Sequence, residues 1–393
     1  MRSIASAATG LLENVISFWK SLQDNLYGGY YGYLSHDLIL DTKADKGCIL
    51  NSRILWFFSE AALLLEREDL RQQADHAYRF LIEHCLDRVY GGVFWSMSHD
   101  GKPSDTTKHT YNQAFAIYAL SSYYRLTGNP QVLALAMDLF YLIENRCTDE
   151  LGYLEAFSAD WSPISNEKLS ENGILADKTM NTLLHVFEGY SGLYQATQNV
   201  EVKHAMARIL KIYQDKIYNP ALRRQNVFFD KYYNSILDLY SYGHDIESSW
   251  LIDWGTRLLE EPRLTRKIAE INADMAKAIY ETAYHNNSLA NECEGGVVDE
   301  TRVWWVQAEA VLGFVNLWEK EPDSVQYRDA AASIFRYICS CMVDKRPGSE
   351  WFWCLDEHGK PIPGKPIVEP WKCPYHNGRM CMELIRKNPE IFV

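Results

Sequence analysis

Three stretches of the chain place acid–base side chains beside aromatic rings at helical spacing. In SYGHDIESSWL, Ser241 to Leu251, a histidine and two carboxylates precede an apolar face. Ile246, Trp250, Leu251 and Trp254 recur at three- and four-residue steps, which predicts an amphipathic helix, and Gly243 breaks the chain before His244. His244 and Glu247 then share one side of the first turn, where free N–H groups and the helix dipole favour anions and lower a histidine's pKa. A neutral imidazole held there is suited to act as a base. The structural alternative is that Asp245 and Glu247 complement the dipole while His244 caps the helix.

TRVWWVQAEAVLGFVNLW supplies Trp304, Trp305 and Glu309, and PWKCPYHNGRMCMEL supplies Trp371 and His376. Three more helix starts carry polar residues. GCILNSRILWFFSEA contains Arg53, KHTYNQAFAIYAL contains Tyr111 and Asn112, and DKTMNTLLHVFEGYSGLY contains Asn181 and His185. Asn181 and His185 are four residues apart, as are Trp305 and Glu309, so each pair can face one cavity. Singly, each has a structural explanation: His185 as a core histidine, Arg53 as an internal ion-pair partner, the tryptophans as core. Together they suit a carbohydrate, whose C–H faces stack on rings and whose hydroxyls need polar partners. Two imidazoles add proton transfer, one ring as base and the other as acid, as epimerisation through a planar intermediate requires.

These stretches need a scaffold that gathers six helix starts. Aromatic, glycine-rich interruptions recur along the chain: LYGGYYGYLSHDL from Leu26, VYGGVFWSMSHDGKP from Val89, ELGYLEAFSADWSP from Glu150, RQNVFFDKYYNSI from Arg224, EGGVVDE from Glu294 and EWFWCLDEHGKP from Glu350. They read as small hairpins. Between them lie helix pairs such as Tyr111 to Leu126 with Val132 to Asn145, and Thr301 to Glu319 with Val325 to Val343. A period of about 60 to 70 residues and about twelve helices predict an all-α (α/α)6 barrel, one domain over 1–393, with the hairpins gathered at one end. An open helical solenoid is the alternative.

The 393 residues carry a net charge of −13, which argues against nucleic acid or an anionic membrane as a partner. The start, MRSIASAATGLLENVISFW, is interrupted by Glu13 and Asn14 and reads as an amphipathic helix rather than a signal peptide. With no uninterrupted apolar span of about 20 residues, a soluble cytoplasmic protein is expected. Nine cysteines without a CxxC pair suit reduced thiols, and structural zinc is not expected; a histidine-only metal site stays open but is not needed. No phosphate-binding glycine loop or Rossmann fingerprint supports a nucleotide cofactor.

SYGHDIESSWL, WWVQAEAVLGF and PWKCPYHNGRMCMEL resemble motifs of the cellobiose 2-epimerase branch of the N-acylglucosamine 2-epimerase superfamily, whose members are (α/α)6 barrels. The resemblance spans nearly the full chain. ESSWL and NTLLHVFEGY depart from it only at small or apolar positions. It implies a cofactor- and metal-free enzyme, expected as a monomer, that inverts C2 of the reducing-end sugar of a β-1,4-linked disaccharide, turning cellobiose into glucosyl-mannose and lactose into epilactose. By the same resemblance His244 and His376 are the acid/base pair, Arg53 stabilises a cis-enediolate, and His185 and Glu247 orient or tune the pair. Tyr111, Asn181, Trp305 and Glu309 hold the reducing-end sugar beside Trp304, and Trp371 stacks under the second sugar. Three other readings stay open at this point: a monosaccharide-acting member of the superfamily, an inverting glycoside hydrolase using Glu247 and Glu309, and a sugar-binding regulator without catalysis.

Overall fold

The computed structural model describes residues 2–169 and 173–393. Among them are twelve α-helices in two kinds. One kind is buried nearly all round. In α2 (Cys48–Leu65) every residue from Cys48 to Ala62 is buried, polar ones included. The other kind has a single apolar stripe. In α3 (Glu68–Phe80) the buried residues are Leu70, Ala74, Ala77 and Phe80, at the three- and four-residue steps of one helical face.

The kinds alternate, so each repeat is one inner and one outer helix. The inner ring consists of α2, α4 (Thr110–Thr127), α6 (Met180–Thr197), α8 (Tyr242–Leu258), α10 (Trp304–Lys320) and α12 (His376–Lys387). Each packs on the next, and α12 returns to α2, which closes the barrel. The outer ring is α1 (Ile4–Ser21), α3, α5 (Pro130–Arg146), α7 (Val200–Ile212), α9 (Pro262–Thr282) and α11 (Val325–Tyr337). The N-terminal stretch forms α1 and seals the last repeat by packing on α12. Closure also corrects the amphipathic reading of the helix after Ser241. Nearly all of α8 is buried, its polar residues on both sides: Glu247 lines the barrel cavity, Asp245 and Ser248 bond Gln225 of the preceding hairpin, and Asp253 bonds Asn272 of α9. The inner helices approach closely through small residues: a Cβ on Gly189 of α6 would lie 2.6 Å from the backbone oxygen of Ala114 in α4. By length and composition α2 is apolar enough to cross a membrane, yet 83% of it is buried inside the barrel.

The interruptions are hairpins of two tiers. After each outer helix the chain turns back on itself, in bridges such as Gln23 with Tyr30, Leu86 with Val93 and Thr148 with Tyr153. Each then pairs with a neighbouring repeat. The strand before α2 (Lys46–Gly47) pairs antiparallel with Ser96–Met97, that before α4 (Lys108–His109) with Ala156–Phe157, and that before α6 (Lys178–Thr179) with Phe228–Phe229. The strands before α8 and α10 do likewise, and a bridge from Leu34 to Val368 completes the circle. Short strands thus stitch one mouth of the barrel. They also correct one helix boundary: α10 starts at Trp304, because Arg302–Val303 belongs to this stitching.

Ion pairs to a buried lysine hold three of the tight turns against the strands, and in the first two the aspartate is buried as well. Lys46 meets Asp24, Lys108 meets Asp87 and Lys178 meets Asp149, each at 2.6 Å. Asp87 also accepts from the N–H groups of Val89 and Tyr90, and Lys108 donates to the carbonyls of Gly91 and Ala159. Removing the carboxylate leaves a buried ammonium without a counter-charge, which costs about 3–5 kcal/mol, whereas an exposed pair contributes about 1 kcal/mol or less. We therefore expect Asp87→Ala to lower the denaturant midpoint strongly. Asp100→Ala, which removes the exposed Asp100–Lys102 pair and a hydrogen bond from Ser98 Oγ, should move it far less. Equal shifts would show that the buried pairs do not hold the turns.

Candidate active site

The stitched mouth opens into a cavity of ≈ 900 Å³, counting its open entrance, a size typical of small-molecule sites. The inner helices supply its wall in turn: Arg53 from α2, Tyr111 from α4, Asn181 and His185 from α6, His244 and Glu247 from α8, Trp304 and Trp305 from α10. His376 opens α12, and Trp371 lies just before it. Glu309, expected to hold a sugar, lies behind this wall. It is fully buried and occupied by His376, Arg379 and Trp250.

The two imidazoles flank one indole. The Trp305 ring centroid is 4.8 Å from that of His244 and 5.3 Å from that of His376. Gly243 makes room for it, since a Cβ there would lie 2.5 Å from the Trp305 ring. Gly243 sits inside α8, so it serves close packing rather than breaking the chain.

The imidazoles have different partners. His376 Nδ1 lies 2.7 Å from Glu309 Oε1. A carboxylate only accepts, so Nδ1 carries the hydrogen and Nε2 keeps a free lone pair. His244 Nδ1 lies 2.7 Å from Ser241 Oγ, a hydroxyl that donates or accepts, so either ring nitrogen of His244 can carry the proton. Ser241, rather than Glu247, is therefore the partner of His244. Burial pushes His244 down to about 3, and repulsion from His185 and His376 adds to it. Burial likewise pushes His376 down to about 3, although Glu309 pulls the other way. Burial thus keeps both rings neutral, where the sequence pointed to a helix dipole.

Behind them lies a buried ionic cluster. The Arg379 guanidinium donates to Glu188 Oε1 at 2.6 Å, Glu247 Oε1 at 2.5 Å and Glu309 Oε1 at 2.7 Å. Burial and the neighbouring Glu309 charge push Glu247 above the usual carboxylate range. Burial acts on Glu309 too, but Arg379 and His376 outweigh it and hold Glu309 low. Glu188 also accepts from Tyr375 OH and sits 2.8 Å from His185 Nδ1. Ligand atoms of Glu247, Glu309 and His376 lie within 4.8 Å of one another, a spacing that suits a cation. The cation between the two carboxylates is the guanidinium.

Several buried polar atoms at the wall have no partner among the described residues: Asn181 Oδ1, Glu247 Oε2, Trp304 Nε1 and Arg53 Nε. Such atoms are costly unless a ligand or water meets them. Arg53 is otherwise fixed by a 2.7 Å bond to Tyr111 OH and by the Phe115 ring, whose centroid is 4.2 Å from its guanidinium carbon. With donors, acceptors and ring faces converging, the site can hold a polyhydroxylated ring and move protons on it.

The sequence reading did not single out Ser241, Glu188, Tyr375 or Arg379. Two of them carry a local signal: Glu188 is one turn after His185, and Arg379 one turn after His376, so each lies on its histidine's face. Their partners across the barrel have no such signal.

Residues 29–377 match the family described as N-acylglucosamine 2-epimerase. The chain is 48% identical to the cellobiose 2-epimerase of Eubacterium cellulosolvens over 97% of this chain and 98% of that one. Its structure matches a sugar epimerase from a ruminal bacterium with a TM-score of 0.97, at 46% identity over 99% and 100% of the two chains. It matches the cellobiose 2-epimerase of Bacillus thermoamylovorans with a TM-score of 0.94, at 42% identity over 98% and 99%.

The depressed histidines make a direct expectation. As pH falls through 6.5, His244 and His376 should stay neutral and gain protons only well below pH 5. Imidazole shifts followed by NMR, assigned with His244→Asn and His376→Asn, check this. A midpoint at or above 6.5 for either ring would mean that its neighbours outweigh burial.

Proposed function

The chain belongs to the N-acylglucosamine 2-epimerase family, and on that premise we propose how its cavity acts on a sugar. Its activity is that of a cellobiose 2-epimerase, a carbohydrate epimerase. The substrate we assign is the open-chain form of a β-1,4-linked disaccharide, inverted at C2 of its reducing-end glucose. Cellobiose then gives 4-O-β-D-glucosyl-D-mannose and lactose gives epilactose.

The observation that carries the mechanism is the pair of imidazoles facing one cavity, each with its Nδ1 tied to a fixed partner. Ring opening places an aldehyde at C1 and makes the C2 hydrogen acidic. One histidine takes that proton, and the C–H electron pair becomes the C1–C2 double bond of a cis-enediolate, with negative charge on O1. The other histidine delivers a proton to C2 from the opposite face, and the double bond's electrons form the new C–H bond. The substrate gains and loses one proton, so no oxidant or reductant is needed. Both rings are neutral at rest, so the delivering ring takes up one proton from water before the step; it leaves the step neutral while the accepting ring leaves it charged, which is the starting state for the reverse reaction.

The environments suit these roles. Glu309 stabilises the imidazolium that forms when His376 accepts a proton, and Ser241 lets His244 present either a bare or a protonated Nε2. Arg53 supplies a fixed positive charge for the enediolate, an interaction worth about 3 kcal/mol at a transition state. Asn181 Oδ1 and Trp304 Nε1 offer an acceptor and a donor to hydroxyls. Trp371, partly exposed at the mouth, carries the second sugar. The Trp371 ring meets Tyr111 and Trp95 edge-on, with ring centroids 5.9 Å and 5.8 Å away, so these rings brace it beside the entrance.

The test is cellobiose in D2O without added metal or nucleotide, followed by proton NMR. Glucosyl-mannose with deuterium at C2 is expected, because the delivered proton exchanges with solvent. Release of free glucose would instead make Glu247 and Glu309 hydrolytic residues. His376→Ala should lower kcat by about 100-fold or more while the fold persists, and an active, folded variant would overturn the assignment. Trp371→Ala should weaken turnover of cellobiose far more than that of a monosaccharide. Equal losses would move the enzyme to the monosaccharide-acting members of the family.

A further inference from the structure

The ionic cluster beneath the cavity has more acid than base. Glu188, Glu247, Glu309 and Arg379 each have side chains no more than 2% exposed, and one guanidinium faces three carboxylates. If all three were ionised, two negative charges would be left uncompensated out of reach of water, which buried sites avoid by taking up a proton.

The hydrogen bonds show where the proton belongs. Glu188 faces three groups that can donate: Arg379, Tyr375 OH and His185 Nδ1. Glu309 also meets three: Arg379, His376 Nδ1 and Trp250 Nε1. Glu247 meets Arg379 through one oxygen, and its Oε2 has no hydrogen-bond partner among the described residues. Glu247 also lines the cavity.

We infer that Arg379 is a positioning residue: its guanidinium holds Glu188 and Glu309 ionised against His185 and His376, and leaves the shared proton on Glu247 Oε2, facing the sugar. The kinetic part of this inference rests on the proton-transfer reading above. Glu247 then acts as a neutral carboxylic acid. It donates a hydrogen bond to a sugar oxygen and strengthens that bond as the oxygen gains charge, while the proton itself stays on Oε2. Arg379 reaches the chemistry only through these neighbours.

The groups that set this balance come from every helix packed around Arg379. They are Glu188 and His185 from α6, Glu247 and His244 from α8, Glu309 from α10, Tyr375 and His376 beside it, Arg53 from α2, and Tyr111 and Tyr118 from α4. Glu60 and Glu383 act from the far end of the barrel.

Infrared spectroscopy of the resting enzyme at neutral pH tests the charge assignment without turnover. The wild type minus Glu247→Gln difference spectrum should contain the C=O stretch of a protonated carboxyl. In Glu188→Gln the trio has one charge fewer, so Glu247 should ionise and that band should disappear. A missing band in the wild type, or one unchanged in Glu188→Gln, overturns the inference. For the kinetic part, Arg379→Lys keeps the charge but loses the fork. It should lower kcat by about 100-fold with KM within about threefold, and move the acid limb of kcat to higher pH as Glu309 becomes easier to protonate. A folded Arg379→Lys enzyme with a lower melting temperature and an unchanged kcat–pH profile would reduce Arg379 to a structural role. The infrared result does not depend on turnover, so the band can be present even if C2 exchange is absent. In that case the charge assignment would stand and the epimerase mechanism would fail.

Discussion

One guanidinium, buried where four inner helices meet, constrains the rest of the site. Arg379 on α12 bonds carboxylates from α6, α8 and α10, so these helices must keep their rotation and height relative to one another. Losing one member of such a network leaves a buried charge or hydrogen-bonding group uncompensated, which is costly. The barrel around it is correspondingly close-packed, with glycine where helices would otherwise collide, as at Gly189 against Ala114. The histidines at the mouth inherit this rigidity, since His376 is fixed through Glu309, and Glu309 through Arg379 and Trp250.

The mouth is built by a different interaction. Pairs of two- and three-residue strands link neighbouring repeats around the ring, and lysine–aspartate pairs with buried lysines lock the turns outside them. Strands this short are marginal alone. Their stability comes from closure, because each strand pair sits between helices that are already fixed. At the opposite end the inner helices terminate around a second polar cavity that includes Arg125, Arg257, Arg386 and Lys387 in its lining. Cations in the last turns of α4, α8 and α12 complement the carbonyl ends of those helices. The side chains suited to proton transfer gather at the mouth, where helix starts and loops converge.

Much of this was legible in the chain. Apolar spacing and the six aromatic interruptions gave the helix pairs and their number, and the repeat length gave closure into a barrel. Most side chains picked from helix starts, from Arg53 to His376, do line one cavity, because a repeat places equivalent positions at equivalent heights. The misreadings have a common cause. The helix after Ser241 looked amphipathic because its apolar residues recur at helical steps, but its polar residues are buried too, against α9 and the preceding hairpin as well as the cavity. Gly243 looked like a break, and only the Trp305 ring against it explains the glycine. Glu309 shares a face with Trp305 by spacing, yet His376 and Arg379, from a helix far along the chain, occupy it before any ligand could.

The sequence by itself determined the local periodicities: which segments are helical, where they start, and which titratable side chains lie at those starts. These are properties of neighbours within a few residues, where spacing fixes direction. The tertiary structure decided the charge states and partners: Ser241 for His244, Glu309 for His376, and one cation for three carboxylates. Those depend on residues from different helices meeting in a space that excludes water, where burial and one nearby charge outweigh the intrinsic acidity of each group.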